Sequence, residues 1–305
     1  MPLRLCLVGA GYMGRIHLEK LLNLEGVHIS GIVDIDKNTC TALSERYNIP
    51  FFNDYRDVTD ISDAIVISSP TDTHYEIARY CMEKGIHVFI EKPMAKNTIE
   101  AASLVNLARD KGVTLQIGHL ERFNPAFKVA MDTIKDPVII EARRTGPYTG
   151  RSTDIDVVMD LMIHDIDLMV CIMKARIKRV IKAYGLTLIN SSADVGTAIV
   201  EFENRCLASI HANRVSTKKE RVLTVFERER IISIDLLNGS ISINTKKHGI
   251  GIETYEHDAG KIDSVKEELK EFIDSISGRG VPTVQGTDGM KALEIAELIR
   301  NSLEA

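Results

Sequence analysis

A glycine turn near the N-terminus constrains the fold of this 305-residue chain more than any other feature. The turn, Gly9-Ala10-Gly11-Tyr12-Met13-Gly14, follows the apolar run Leu3–Val8 and opens a helical pattern at Gly14–Leu24. In such a strand–turn–helix unit the first glycine makes the tight turn, the second lets a pyrophosphate approach the backbone, and the third lets the helix pack closely on the strand. The free N–H groups at the helix N-terminus favour a bound phosphate. The pattern predicts a dinucleotide pocket lined by this turn, Tyr12 and Met13 included.

Asp34 adds a second element to this fingerprint. It ends the next β-rich run, 20 residues after Gly14, where an acidic side chain accepts hydrogen bonds from the adenosine ribose hydroxyls. A 2′-phosphate would meet its negative charge, so Asp34 favours NAD over NADP, a preference that the nearby Lys37 weakens slightly. At this point the sequence also allows the alternative of a Rossmann-like domain that binds another ligand.

Strands alternate with helices over the first 120 residues, which predicts a doubly wound parallel sheet with right-handed crossovers. Glycines at Gly85 and Gly112 fall where helix C-caps are expected. The predicted strands are Leu3–Val8, His28–Val33, Ala64–Ser68, His87–Ile90 and Thr114–Ile117, and the helices are Gly14–Leu24, Lys37–Tyr47, Thr73–Lys84 and Thr98–Lys111.

After about residue 120 the pattern changes to alternating apolar and polar residues, which is typical of an antiparallel sheet with one buried face. We expect a Rossmann domain over residues 1–120 and an α+β domain over 121–305, built on a large, open, mostly antiparallel sheet. The last predicted helix, 289–303, is expected to pack back on the first domain. The predicted strands are Ile177–Leu188, Gly196–Phe202, Cys206–Asn213, Arg221–Phe226, Arg230–Asp235 and Ser240–Asn244, and the helices are Asn124–Ile134, Asp154–Met173, Lys261–Ser277 and Gly289–Leu303.

Composition limits the class of protein. Net charge is −5 and apolar residues make up 44% of the chain, which gives no general attraction to nucleic acid or to an anionic membrane. The five cysteines are scattered, which favours reduced thiols over a disulfide framework or a zinc site. We find no signal peptide and no membrane-length apolar run, and we expect a cytoplasmic protein.

Three further segments resemble a known family. Ser68–His74 is similar to an (A/S)-x-P-T-x-x-H segment, Glu91-Lys92-Pro93 matches an E-K-P signature, and Asp160–Asp167 resembles D-x-G-x-H-x-x-D. With the glycine turn they occur in the order found in the Gfo/Idh/MocA oxidoreductases, and the resemblance covers essentially the whole chain.

The resemblance implies an NAD-dependent dehydrogenase acting on a sugar hydroxyl, with the nicotinamide held near the E-K-P turn. Lys92 and His164 would lie beside the reacting carbon, Asp160 would precede His164 by one helical turn, and the bond before Pro93 is expected to be cis. Further residues expected to bind the cofactor are Ser69, Pro70, Thr71, His74, Glu91, Lys92 and Arg122. For His74 a structural role competes with this one.

The chain also departs from the family. Met162 replaces the glycine of the D-x-G-x-H segment, which puts simple monosaccharide substrates in doubt. The segments Gly118–Pro125 and Asp160–Asp165 look most like the branch that oxidises UDP-N-acetylglucosamine at carbon 3, an activity that feeds 3-amino-sugar synthesis, as for lipid A. An inositol or free-sugar dehydrogenase is the alternative enzyme, and an NAD-binding sensor without turnover is an alternative of another class.

Oxidation of an alcohol needs a base that titrates near neutral pH. His164 supplies one, and Asp160 can fix its tautomer and raise its basicity. Lys92 is a second candidate, or it polarises the substrate oxygen, and the choice between them stays open. Asp167 either binds substrate hydroxyls or is solvated. We expect no metal.

A nucleotide-sugar substrate would also need cations for its diphosphate. Arg143, Arg144 and Arg151 flank Gly146-Pro147-Tyr148, and arginine forks suit phosphate oxygens, while Tyr148 could stack on the base. Solvated surface arginines are the competing interpretation. The outer face of the large predicted sheet has to be covered, so we expect a homodimer or homotetramer.

Overall fold

The computed structural model describes residues 2–150, 155–247 and 251–304. The chain divides into two compact units, one formed by Met1–Leu120 with Asp263–Met290 and the other by Glu121–Ile262 with Lys291–Ala305. Within the described residues, no helix has the length and apolar character needed to cross a membrane.

The first unit contains the predicted parallel sheet. All of its strand pairs are parallel, and the strand order β3-β2-β1-β4-β5-β6 is that of a doubly wound dinucleotide-binding fold. Its apolar strands are buried because helices cover both faces. The six strands are β1 (Leu3–Val8), β2 (Val27–Val33), β3 (Phe51–Phe52), β4 (Ala64–Ile67), β5 (His87–Glu91) and β6 (Leu115–Gly118).

Local signals in the sequence set the ends of the helices in this unit. Asp36 and Asn97 cap the second and fourth helices by accepting backbone N–H groups. Gly85 and Gly112 have the positive φ values expected after a helix. The first four α-helices along the chain are α1 (Tyr12–Leu21), α2 (Lys37–Tyr47), α3 (Thr71–Glu83) and α4 (Thr98–Lys111).

The second unit is built on a nine-stranded mixed sheet, ordered β14-β13-β12-β11-β7-β10-β9-β8-β15. Its pairs are antiparallel except for β7 with β10 and β8 with β15, so the expectation of a mostly antiparallel sheet is confirmed. The strands are β7 (Ile139–Thr145), β8 (Ile177–Leu186), β9 (Val195–Phe202), β10 (Leu207–Asn213), β11 (Glu220–Phe226), β12 (Arg230–Asp235), β13 (Ser240–Lys246), β14 (Ile252–Asp258) and β15 (Leu303–Glu304).

Helices cover one face of this sheet. The helices α5 (Pro125–Thr133) and α6 (Ile163–Met173) pack on it, and a π-helical turn at Val158–Met162 precedes α6. The sequence predicted one α-helix over Asp154–Met173. Asp154 lies outside the described residues, and the π-helical turn differs from the prediction. Such turns are frequent at functional sites because they re-aim side chains.

Two C-terminal helices follow, α7 (Ser264–Ile276) and α8 (Gly286–Asn301). The sequence assigned both to the second domain and expected the last helix to return to the first. All of α7 belongs to the first unit, as does α8 up to Met290, whereas α8 from Lys291 onward belongs to the second. In the first unit, Leu269, Phe272 and Ile273 enter the core cluster that contains Phe89. The reason is the apolar face of α7, whose Phe272 ring meets that of Phe89 edge to face.

We predict that Phe272→Ala lowers the stability of the first unit by about 3–5 kcal/mol, because it leaves a cavity in a fully buried site. Lys270→Ala, at an exposed position of the same helix, serves as the control and should change stability by less than about 0.5 kcal/mol. Thermal and urea unfolding measure both. Equal effects would show that α7 is not part of this core.

Candidate active site

The glycine turn has the geometry of a phosphate cradle. A Cβ on Gly9 would lie 2.4 Å from the Ser69 nitrogen, and one on Gly14 would lie 1.9 Å from the Gly9 carbonyl oxygen, so both positions require glycine. A Cβ on Gly11 would meet nothing within 4 Å. The space beside Gly11 is therefore where a ligand can approach the backbone, and no side chain of the described residues caps α1 there.

Asp34 supports this turn directly. Its Oδ2 accepts the Ala10 N–H at 2.6 Å and its Oδ1 accepts the Asp36 N–H at 2.9 Å. Each carboxylate oxygen has a further lone pair, so the group can still accept hydrogen bonds from ribose hydroxyls. The side chain that would select the cofactor also fixes the turn that would hold it.

His74 joins two loops at the carboxyl edge of the sheet. Its Nδ1 lies 2.9 Å from the Pro93 carbonyl oxygen and its Nε2 lies 2.8 Å from that of Ser69. The side chain is buried; burial lowers the pKa of the imidazole, and the two carbonyl contacts oppose this shift. Of the two expected roles, the geometry favours the structural one, since both ring nitrogens are engaged by the backbone.

The E-K-P turn follows β5, and its Lys92–Pro93 bond is cis, as expected. The Glu91 carboxylate, expected to bind the nicotinamide ribose, is directed inward instead. Its Oε1 lies 2.6 Å from the His17 Nε2, and its Oε2 accepts the Lys92 N–H at 3.2 Å. Glu91 is largely buried and engaged on both oxygens, so we reassign it from the cofactor to the support of Lys92, whose own side chain is partly exposed.

The remaining expected cofactor residues in this unit also lie at the carboxyl edge. Ser68 and Ser69 lie against Gly9, and the Ser68 Oγ donates to the Gly9 carbonyl at 2.8 Å. Pro70 precedes α3, and Thr71 is its first residue. The structure thus brings the glycine turn and the segment after β4 together.

In the second unit, Asp160 lies in the π-helical turn and His164 in the first turn of α6. Both side chains are partly exposed, whereas Asp165 and Asp167 on the same helix are buried. The two candidate catalytic residues are therefore partly accessible, although the His164 Nδ1 atom is buried. The two other aspartates face the protein interior.

Two of the expected ligand-binding residues bind each other. Arg122, assigned to the cofactor, donates from Nε and one terminal nitrogen to the two oxygens of Asp167 at 2.8 and 2.7 Å. Both side chains are buried. The expectation that Asp167 either binds substrate hydroxyls or is solvated is corrected, because its carboxylate is committed to this ion pair.

Arg144 is likewise not available to a phosphate. It makes a two-pronged contact with Asp165 at 3.0 and 2.8 Å and donates to Glu121 at 2.8 Å, with 3% of its side chain exposed. Burial raises the pKa of Asp165, and Arg144 opposes that shift. The role of Arg144 is to neutralise two buried carboxylates, which corrects its assignment to the substrate.

The other expected phosphate and base contacts lie apart from this network. Arg143 alternates with Arg144 along β7, so it points to the opposite face of the sheet from α6. Tyr148 is exposed, and its hydroxyl donates to the Asn190 Oδ1 at 3.3 Å. Arg151 lies outside the described residues. Arg143 is therefore separated from Asp160 and His164 by the sheet.

The sequence analysis missed Arg214. This buried residue follows β10 directly, and its guanidinium lies 4.0 Å from Asp160 and 2.9 Å from Asp194. The only available signal was an arginine directly after a predicted strand. Residue type alone could not show that this arginine lies near Asp160.

We predict that Arg144→Met destabilises the second unit by about 3–5 kcal/mol, because it removes the guanidinium that pairs with the buried Asp165. Glu121 would keep its contact with Arg221. Arg143→Met is a matched control on the neighbouring, exposed position and should cost less than about 0.5 kcal/mol. Thermal unfolding followed by circular dichroism distinguishes them. A small effect at Arg144 would contradict the assigned role.

Comparisons with known proteins agree with this architecture. Residues 3–119 match the sequence model described as the Gfo/Idh/MocA oxidoreductase family with an NAD-binding Rossmann fold, and residues 133–233 match the C-terminal domain of the same family. The UDP-N-acetylglucosamine 3-dehydrogenase of Acidithiobacillus ferrooxidans is 30% identical over 309 residues, covering 99% of this chain and 98% of that protein. Its solved structure superposes with a TM-score of 0.93, covering 100% and 98% of the two chains.

Two other relatives are more distant. The myo-inositol 2-dehydrogenase of Thermotoga maritima is 25% identical, covering 99% of this chain and 96% of that protein. An oxidoreductase from Agrobacterium radiobacter, solved in complex with NAD+, L-tartaric acid and magnesium, has a TM-score of 0.87 at 15% identity, covering 99% and 96% of the two chains; this likeness concerns the fold alone. The chain therefore belongs to the Gfo/Idh/MocA oxidoreductases, as an NAD-binding dehydrogenase that acts on CH–OH groups.

Proposed function

We propose that this protein oxidises the carbon-3 hydroxyl of UDP-N-acetylglucosamine with NAD. The observation that carries the proposal is the similarity to a UDP-N-acetylglucosamine 3-dehydrogenase, which extends over both chains almost completely in sequence and in structure. The inositol dehydrogenases among the relatives support a second candidate, a polyol or free sugar.

Lys92 and His164 supply the proton chemistry in this proposal. Bound NAD provides the hydride acceptor. The substrate hydroxyl loses its proton to one of these two side chains, and the other stabilises the developing negative charge on oxygen. Asp160, one turn before His164, orients the imidazole. With Arg144 committed to buried carboxylates, Tyr148 and Arg151 remain as the proposed contacts for the nucleotide part.

The experiment that tests the proposal follows the absorbance of NADH with UDP-N-acetylglucosamine, other UDP-sugars, free sugars and inositols. We expect turnover with UDP-N-acetylglucosamine at least tenfold above every other substrate. Preference for an inositol would favour the second candidate. Tight NAD binding without any turnover would favour a sensor and contradict both.

Lys92→Met is predicted to lower kcat by about 10²–10⁴-fold, the usual contribution of a general acid or base, while the Kd for NAD changes less than about threefold. Lys96→Met, at an exposed position in the same turn, is the matched control and should retain activity. Steady-state kinetics and a fluorescence titration with NADH measure the two quantities. Retention of activity in Lys92→Met would remove Lys92 from the proposed mechanism.

Asp34 is proposed to select NAD over NADP by repelling a 2′-phosphate. Asp34→Asn should reduce the ratio of kcat/KM for NAD to that for NADP by about tenfold or more, because it removes a unit charge at contact distance. Asp36→Asn is the control, since asparagine caps a helix as well as aspartate. An unchanged ratio in Asp34→Asn would contradict this role.

A homodimer or homotetramer is proposed for the assembly. The face of the nine-stranded sheet opposite α6 carries Ile139, Ile199 and Leu207, each about 40% exposed. They lie on paired neighbouring strands, β7, β10 and β9, which makes an apolar strip suited to a second copy of the chain. Light scattering after size exclusion tests this, and a monomer at micromolar concentration would contradict it.

A further inference from the structure

Three ionisable side chains meet in the core of the first unit. His17 comes from α1, Glu91 from the end of β5 and Glu268 from α7, and one nitrogen or oxygen of each lies within 4.8 Å of the others. We call these three residues the buried triad. The His17 Nε2 and the Glu91 Oε1 are 2.6 Å apart, so these two atoms form a hydrogen bond.

Glu268 is the anomalous member of the triad. Its side chain is fully buried, and neither carboxylate oxygen has a hydrogen-bond partner among the described residues. Its helix neighbours Leu269 and Phe272 lie in the apolar core. A buried carboxylate without a partner cannot stay ionised at low cost, so it must hold either a proton or a cation.

The surrounding charges favour a proton on Glu268 rather than on Glu91. Burial, with the negative charges of Glu91 and Glu271, raises the pKa of Glu268 well above its usual range. Burial acts in the same direction on Glu91, but the His17 hydrogen bond and charge and the charge of Lys92 outweigh it and hold the pKa of Glu91 low.

We propose that Glu268 is a positioning residue that stays protonated at neutral pH. Glu91 is then the only negatively charged member of the triad, and its carboxylate can hold the Lys92 backbone in place. The link to Lys92 is the hydrogen bond from its backbone N–H to the Glu91 Oε2. A second negative charge in the triad would repel Glu91 from this position. The step from Lys92 to catalysis rests on the proposed function; the protonation of Glu268 does not.

A proton fits the triad better than a metal ion. Two ligands of one transition metal, each at about 2.0–2.2 Å from it, stand roughly 3 Å or more apart. The 2.6 Å separation of His17 Nε2 and Glu91 Oε1 is that of a hydrogen bond and leaves no room for an ion between them.

Thermal unfolding of Glu268→Gln between pH 5.5 and 8.5 tests the protonation. Because the folded pKa of Glu268 lies above its unfolded value, the wild-type protein loses stability as pH rises from the unfolded pKa towards the folded one. Glutamine cannot ionise, so the Tm of the variant minus that of the wild type should increase by about 3–6 °C across this range. For Glu267→Gln, at a partly exposed neighbouring position on α7, the difference in Tm from the wild type should not change with pH.

Two outcomes would overturn the protonation. One is a Tm difference for Glu268→Gln that does not change with pH. The other is a fall in wild-type Tm on adding EDTA that is absent in the variant, which would identify a metal ion. If Glu268→Gln does not fold, Glu268→Met serves in its place, because it is also neutral and has a similar volume, and the same rise with pH is expected.

The effect on Lys92 is read from the pH profile of kcat. In Glu268→Gln the alkaline decline of kcat should move up by at least about half a pH unit, while the KM for NAD stays within about twofold. Superimposable profiles would overturn the positioning role and leave Glu268 as a purely structural acid. Absence of turnover in the wild type would instead refute the proposed function, and the thermal test would still stand.

Discussion

The hydrogen bonds of the buried Glu91 carboxylate are the interactions on which the candidate site of the first unit depends. The carboxylate receives the His17 side chain from α1 and the backbone N–H of Lys92 from the turn after β5. A carboxylate taken out of water is stable only with such partners. The same turn is held from the other side by His74, which reaches the Pro93 carbonyl and that of Ser69. Lys92 therefore projects from a backbone fixed at both ends.

The second unit uses buried ion pairs for a similar purpose. Arg122 binds Asp167, and Arg144 binds Asp165. Both aspartates lie on α6, so the two arginines anchor the helix that carries His164. Pairs of this kind are costly to break because the remaining charge is stranded. Their value here is orientation: with the two aspartates turned inward, Asp160 and His164 are left partly exposed.

Much of the fold follows from local patterns in the sequence. The glycine turn, the acid after β2 and the alternation of strands and helices identified the parallel sheet, since each rests on a backbone constraint or on periodicity. The place of α7 could not be read in this way. Its apolar face at Leu269 and Phe272 predicts that the helix packs on a hydrophobic core. The local sequence does not show which of the two domain cores that is.

The site was predictable only in part for a related reason. Residue type cannot distinguish an arginine that binds phosphate from one that neutralises a buried carboxylate, and Arg144 and Arg122 belong to the second kind. Likewise, residue type could not show that Glu91, which was expected to bind the cofactor, and Glu268 are both buried. By contrast, the glycine turn and the cis bond before Pro93 follow motifs whose backbone geometry is specific.

Isotope transfer tests the central claim most directly. UDP-N-acetylglucosamine carrying deuterium at carbon 3 is incubated with the protein and NAD, and the reduced cofactor is analysed by mass spectrometry. We expect the reduced cofactor to contain one deuterium, together with a primary isotope effect when hydride transfer limits the rate. Reduced cofactor that lacks deuterium, or no reduction despite bound NAD, would contradict oxidation at carbon 3.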